Sequence, residues 1–120
     1  MAPMNCSSLC EGPVILIGYP WRLQIEAAAP LFEADARYFG HLRRRRNDPE
    51  VLTYLSTEGG GIRWISETVL ELNLAVEQTA HLSPGQVVMD LIRRDLTPAV
   101  HLGILLEVPV QWPVTRGGGV

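Results

Sequence analysis

Four consecutive arginines, Arg43 to Arg46, stand in the stretch FGHLRRRRNDPE. Guanidinium forks bind phosphates and carboxylates well, because each presents paired donors in a fixed plane. Nucleic-acid binding asks for more: a broad basic surface with aromatic rings on which bases can stack. The chain has Lys+Arg 10 against Asp+Glu 13 and a net charge of −3, so that broad footprint is absent. Every basic residue is arginine, a type suited to interface ion pairs because its fork is rigid and weakly hydrated.

The other reactive types are scattered. Asp90, Asp95 and Glu107 suggest a carboxylate pair of the kind that hydrolyses glycosidic bonds, yet no cleft signal accompanies them. Asp90 lies inside the apolar run VVMDLI, so the expectation is a buried, hydrogen-bonded structural carboxylate. His41, His81 and His101 fall on three separate elements and do not make a metal-ligand spacing. Cys6 and Cys10 form a C-x3-C pair that nothing else completes into a zinc site; they are a candidate disulfide or two incidental thiols. TEGGGI lacks the Lys-Ser/Thr that follows a phosphate-binding loop and reads as a turn. No G-x-S-x-G nucleophile elbow is present. The expectation is no enzyme, no cofactor and no metal.

The elements that must carry these residues are strands. Trp21, Leu23 and Ile25 alternate with Arg22, Gln24 and Glu26, the period of a strand with one buried face. Leu70, Leu72, Leu74 and Val76 alternate with Glu71, Asn73 and Ala75 even more cleanly. RYFGHLRRRR and VLTYLS read as a hairpin about an NDPE turn, with Asp48-Pro49 as turn chemistry. IRWIS, QVVMDLIRRD and AVHLGILLEVPVQWPV read as further strands. EQTAHLSPG reads as one helical turn ended by Pro84-Gly85, and 27–36 as a loop because Pro30 breaks a helix. About seven or eight strands separated by regular turn signals predict an all-β chain, a single antiparallel β-sandwich.

Residues 1–12 lack periodicity and read as a flexible N-terminal arm, 13–116 as the sandwich domain and 117–120 as a flexible tail. The start lacks the basic region of a signal peptide, and PVILIG is too short for a membrane span. Synthesis in a cytoplasm without membrane insertion is expected. Alternation places Arg43 and Arg45 on one face of their strand and Arg44 and Arg46 on the other. A sandwich cannot bury either set unpaired, so the run is expected at the strand's end, in solvent or at an interface. Trp21 reads as core. Pro109 and Pro113 around Trp112 predict an edge for the last strand, since proline cannot donate to a ladder.

The order of short motifs resembles small bacteriophage virion proteins related to the N-terminal sandwich domain of baseplate upper proteins. The pieces are Trp21, LRRRR, LST at 55–57, GGGI at 59–62, LELNL at 70–74, TAHL at 79–82, GQVVMDL at 85–91, HLG at 101–103 and VTR at 114–116. Each piece is ordinary β-sheet chemistry; the likeness lies in their order over roughly residues 14 to 116. The N-terminal arm, the region 27–36 and the lack of a tyrosine near Asp90 depart from the pattern. The resemblance implies a non-enzymatic virion structural protein, made in the bacterial host and working with other virion proteins and copies of itself. It favours a tail, baseplate or fibre-attachment component, with head decoration second; a separate alternative of another class is a sandwich module that binds carbohydrate or a host-surface ligand. Candidate interface residues are Arg43, Arg44, Arg45, Arg46, Trp112 and Arg116.

Overall fold

The computed structural model describes residues 4–5, 9–11 and 13–115. Among them, regular structure is nearly all strand, arranged in two sheets, one of them strongly curled. The strands are β1 (Met4–Asn5), β2 (Leu9–Glu11), β3 (Ile15–Leu16), β4 (Trp21–Glu26), β5 (Tyr38–Arg43), β6 (Thr53–Ser56), β7 (Ile62–Ser66), β8 (Val69–Leu74), β9 (Gly85–Arg93) and β10 (Val100–Gln111); the one helix described is α1 (Val76–Thr79). A four-stranded sheet runs β1-β4-β8-β7, and a six-stranded sheet runs β2-β10-β9-β5-β6 with β3 also paired to β10.

Alternation decides which face of each strand is buried. Trp21, Leu23 and Ile25 of β4 and Leu70, Leu72 and Leu74 of β8 are buried, as are Tyr38 and Leu42 of β5, Val87, Met89 and Leu91 of β9, and Ile104, Leu106, Val108 and Val110 of β10. These residues of both sheets belong to one apolar cluster, and removing them from water is the main driving force for the fold. Phe32 anchors the irregular segment 27–36 by an edge-on contact with Tyr38 at 6.0 Å. Leu31 and Phe32 both donate their backbone N–H to the Glu67 carbonyl at 2.9 Å.

The hairpin expected about the NDPE turn is present as β5 with β6, and β7 with β8 and β9 with β10 form two more antiparallel pairs. The helical turn is four residues long. Gln78 caps it by accepting the Ala75 N–H at 2.9 Å. The fully buried Thr79 ties it to the chain before β4 through the Tyr19 carbonyl at 2.8 Å.

Two expectations are corrected. The pairing is mixed, because β1 joins β4, and β2 and β3 join β10, in parallel. These strands are two or three residues long, too short to display alternation, and two of them fall in the segment read as a flexible arm. The last strand is not an edge: β10 has β9 on one side and β2 and β3 on the other. Pro109 is accommodated because it falls between Leu105–Glu107, which pair with β2, and Val110–Gln111, which pair with β3. The missing N–H therefore lies at a break in that ladder.

Candidate functional site: a groove beside the arginine turn

Beta-strand parity puts Phe39, His41 and Arg43 on the outer face of β5 and Val88, Asp90 and Ile92 on that of β9, all partly exposed. With Leu105 of β10 and Arg46 from the turn after β5, they line a groove of about 380 Å³ on the six-stranded sheet. The β5–β9 ladder keeps one register from Tyr38–Arg93 to Arg43–Val88. The β9–β10 ladder changes register between His101 and Leu105, where Gly103 has φ +74°. Such a shift bends a sheet and redirects side chains. Gly40 is required here for a separate reason: a Cβ would overlap the Asp90 carbonyl oxygen of the neighbouring strand.

Asp90 sits beside this shift, paired with Leu105. It is not the buried carboxylate its apolar neighbours suggested: its side chain is 42% exposed and its Oδ2 lies 2.9 Å from His101 Nε2. The apolar neighbours Val87, Met89 and Leu91 face the core, whereas Asp90 has the opposite parity. On the other flank, Phe39 is the hub of an aromatic group. It stacks on Tyr54 at 5.6 Å, meets His41 edge-on at 4.9 Å and carries the Arg94 guanidinium 4.2 Å from its ring centroid. Arg94 also grips Glu58 at 2.8 Å, and that contact lowers the Glu58 carboxyl from its ordinary 4.5 to about 2.

The arginine run lies at the end of β5, as burial required, but the strand read through Arg46 stops at Arg43, so the alternate-face expectation does not extend to Arg44, Arg45 and Arg46. Arg43 is the last strand residue, and 44–47 form the turn. Arg43 Nη1 donates to the carbonyls of Asp48 and Pro49 at 2.9 and 3.1 Å, and Nη2 meets His41 Nδ1 at 3.3 Å. Arg44 crosses to the carbonyls of Ser83 and Gln86. Arg45 and Arg46 are exposed. None of the four forms an ion pair among the described residues; carbonyl contacts orient Arg43 and Arg44.

The remaining candidates are dispersed. Trp112 follows β10 and is 53% exposed. Arg116 lies outside the described residues, as does Cys6, and Cys10 enters only by its place in β2, so the candidate disulfide is outside them too. Asp95 is held by Arg93 at 2.7 Å, which keeps its carboxyl far below the usual range, and it accepts the Arg37 N–H. His81 is exposed after α1, while His41 and His101 flank Asp90 on one sheet face. Among the described residues no group of three or more His, Cys, Asp or Glu side chains is placed to hold a metal ion, and no helix is long and apolar enough to cross a membrane.

Two further features are not among the candidate interface residues, although Trp64, like Trp112, reads in the sequence as a candidate aromatic platform for a ligand. Glu71 is nearly buried on the outer side of β8, beneath Arg63 at 3.2 Å and Arg22 at 3.9 Å. At the edge strand β7, Trp64 and Ile65 are 40% and 41% exposed, and the Trp64 indole N–H donates to the Phe32 carbonyl at 3.3 Å beside the 40% exposed Leu31. The signal for the second is present in the sequence: Trp64 and Ile65 are adjacent, and a strand cannot bury both on one face. No protein-family model matches the chain, and no curated protein matches it in sequence.

Proposed function

We propose that this chain is a non-enzymatic structural component of a bacteriophage particle: a single β-sandwich that acts by packing against other virion chains and copies of itself. Two sheets contributing to one apolar cluster support the sandwich. The order of motifs from Trp21 to the VTR segment supports the phage setting, with a tail, baseplate or fibre-attachment position ahead of head decoration.

The observation that carries an assembly role is the apolar end of the four-stranded sheet. Trp64, Ile65 and Leu31 present large side chains around an edge strand whose backbone pairs with β8 on one side. Uncovered edge strands and clustered apolar residues favour contact with another chain, and aromatic residues are enriched at such contacts. The test is the solution mass over a concentration series, followed by mixing with the other proteins of the particle. A defined oligomer, or uptake into tails or heads, supports the reading and separates its two locations. A chain that stays monomeric and enters neither overturns it. Trp64→Ser is expected to weaken association without unfolding the chain, because its side chain is partly solvated already.

A further inference from the structure

We propose that the groove on the six-stranded sheet binds a segment of a partner protein that places an apolar side chain against Phe39, Val88, Ile92 and Leu105 and a carboxylate against Arg43 and Arg46. This names the chemistry of a partner and rests on the assembly reading above, though it uses a different surface from the β7 edge.

The chemistry of the walls sets the occupant. The floor is apolar, formed by outward side chains of three adjacent strands that the protein leaves partly open to water. A volume of about 380 Å³ lies at the lower end of ligand-sized sites. It suits an inserted side chain better than a folded surface. The rim is charged unequally. Glu58 is paired with Arg94, and Asp90 has one oxygen on His101, so the groove is lined by two guanidiniums, Arg43 and Arg46, against the single carboxylate of Asp90. Arg43 is aimed by carbonyl oxygens, which fix its fork but leave its charge uncompensated, and Arg46 stands exposed at the same rim with no ion pair among the described residues. Against a net charge of −3, this is a local excess of positive potential beside an apolar slot. Charge complementarity therefore selects an acidic segment. A prepositioned guanidinium binds a carboxylate with little further loss of side-chain freedom.

Nucleic acid is the less favoured occupant of the same cations. Phe39 is already covered by Tyr54, His41 and Arg94, so the ring that would have to stack a base is engaged within the protein.

The experiment is an NMR titration of the isotopically labelled full chain with three probes. One is a capped peptide of two apolar residues followed by two acidic ones. The second is its neutral amide counterpart, and the third a short single-stranded oligonucleotide. The acidic peptide is expected to shift the amides of Phe39, His41, Val88, Ile92 and Leu105, and the neutral peptide to bind at least tenfold more weakly. Arg46→Glu, at an exposed turn position, is expected to cost the acidic peptide at least tenfold in affinity, while Arg63→Gln on the other sheet leaves it unchanged. Equal binding of the two peptides, shifts confined to another surface, or preference for the oligonucleotide would overturn the proposal. Measuring the solution mass of the same samples separates the two readings. A chain that assembles but ignores the acidic peptide loses only the groove. A chain that binds the peptide through Arg46 but enters no assembly loses the virion reading and keeps the groove.

Discussion

His101 and Asp90 meet across the β9–β10 ladder, Nε2 to Oδ2 at 2.9 Å, one step from the place where the ladder slips. The other ring nitrogen of His101 is also committed, because the Gly103 N–H donates to Nδ1 at 2.8 Å. A nitrogen that accepts an N–H cannot carry a proton of its own, so the neutral ring must hold its proton on Nε2 and donate it to Asp90. Two-bond nitrogen–proton NMR correlations at a pH where imidazole is neutral are expected to show the Nε2–H form. An Nδ1–H form would mean that the bulge at Gly103 does not orient the ring. Gly103→Ala tests the backbone half of the arrangement. An added Cβ meets nothing within 4 Å, but φ is +74°, so the expected loss is the left-handed backbone cost of about 1 to 2 kcal/mol, read by denaturant unfolding.

Gly40→Ala is expected to be more damaging than Gly103→Ala, although Gly40 lies in an ordinary extended strand. Its Cβ would overlap the Asp90 carbonyl and crowd the Leu91 side chain. Backbone cannot rotate away as a side chain can. Strands β5 and β9 must separate at the floor of the groove, with an overpacking cost of roughly 1 to 3 kcal/mol or more. Unfolding curves for the two alanine variants side by side decide the order. A Gly40→Ala variant as stable as the parent would show that β5 and β9 do not approach as closely as described.

The Glu71 cluster is expected to respond asymmetrically. Glu71 has only 7% of its side chain exposed, whereas Arg22 and Arg63 above it are 68% and 63% exposed. Removing the carboxylate charge by Glu71→Gln leaves two arginines that water already solvates, and the expected cost is below about 1 kcal/mol. Removing both arginines leaves a nearly buried carboxylate with the Asn73 amide at 3.3 Å as its remaining donor among the described residues, and the expected cost rises to roughly 2 to 3 kcal/mol. Urea unfolding of Glu71→Gln and of the Arg22→Ala, Arg63→Ala double variant makes the comparison. Equal losses would contradict a role for burial in this cluster.

How much of the fold is legible in the sequence depends on how many residues carry a signal. Strands β4 and β8 are six residues long each and alternate sharply in residue type, so their core faces can be read from the residue types alone. The hairpin joining β5 to β6 is legible because Asp48-Pro49 is strong turn chemistry. Strands β1, β2 and β3 are not legible, because two or three residues cannot show a period. For Asp90 the apolar neighbours mislead and the parity does not: with Val87, Met89 and Leu91 facing inward, position 90 has to face out. The groove itself is invisible in the sequence, since it needs outward side chains of three strands, Phe39, Val88, Ile92 and Leu105 among them, to be brought side by side. Gly40 and Gly103 are its trace, and a strand glycine marks an isolated bulge or a barrel-like bend just as readily.

The ion pair of Glu58 with Arg94 links acid stability to the aromatic group at the groove. The carboxyl titrates at about 2 in the folded chain instead of 4.5, chiefly because Arg94 hydrogen-bonds its ionised form. A folded value below the unfolded one means that the stabilisation is present above pH 4.5 and is lost as pH falls toward 2. Asp95, lowered further by Arg93, loses its contribution in the same direction. Thermal melts from about pH 6 down to about pH 2.5 are expected to show the parent ahead of Glu58→Gln at the upper end, with the gap closing as the carboxylate is protonated. Because the pair is exposed, the gap should also shrink in high salt. Freed from Glu58, Arg94 should leave Phe39 more mobile, seen as broadened ring resonances. A gap that stays constant across the pH range would show that Glu58 stabilises the chain without using its charge.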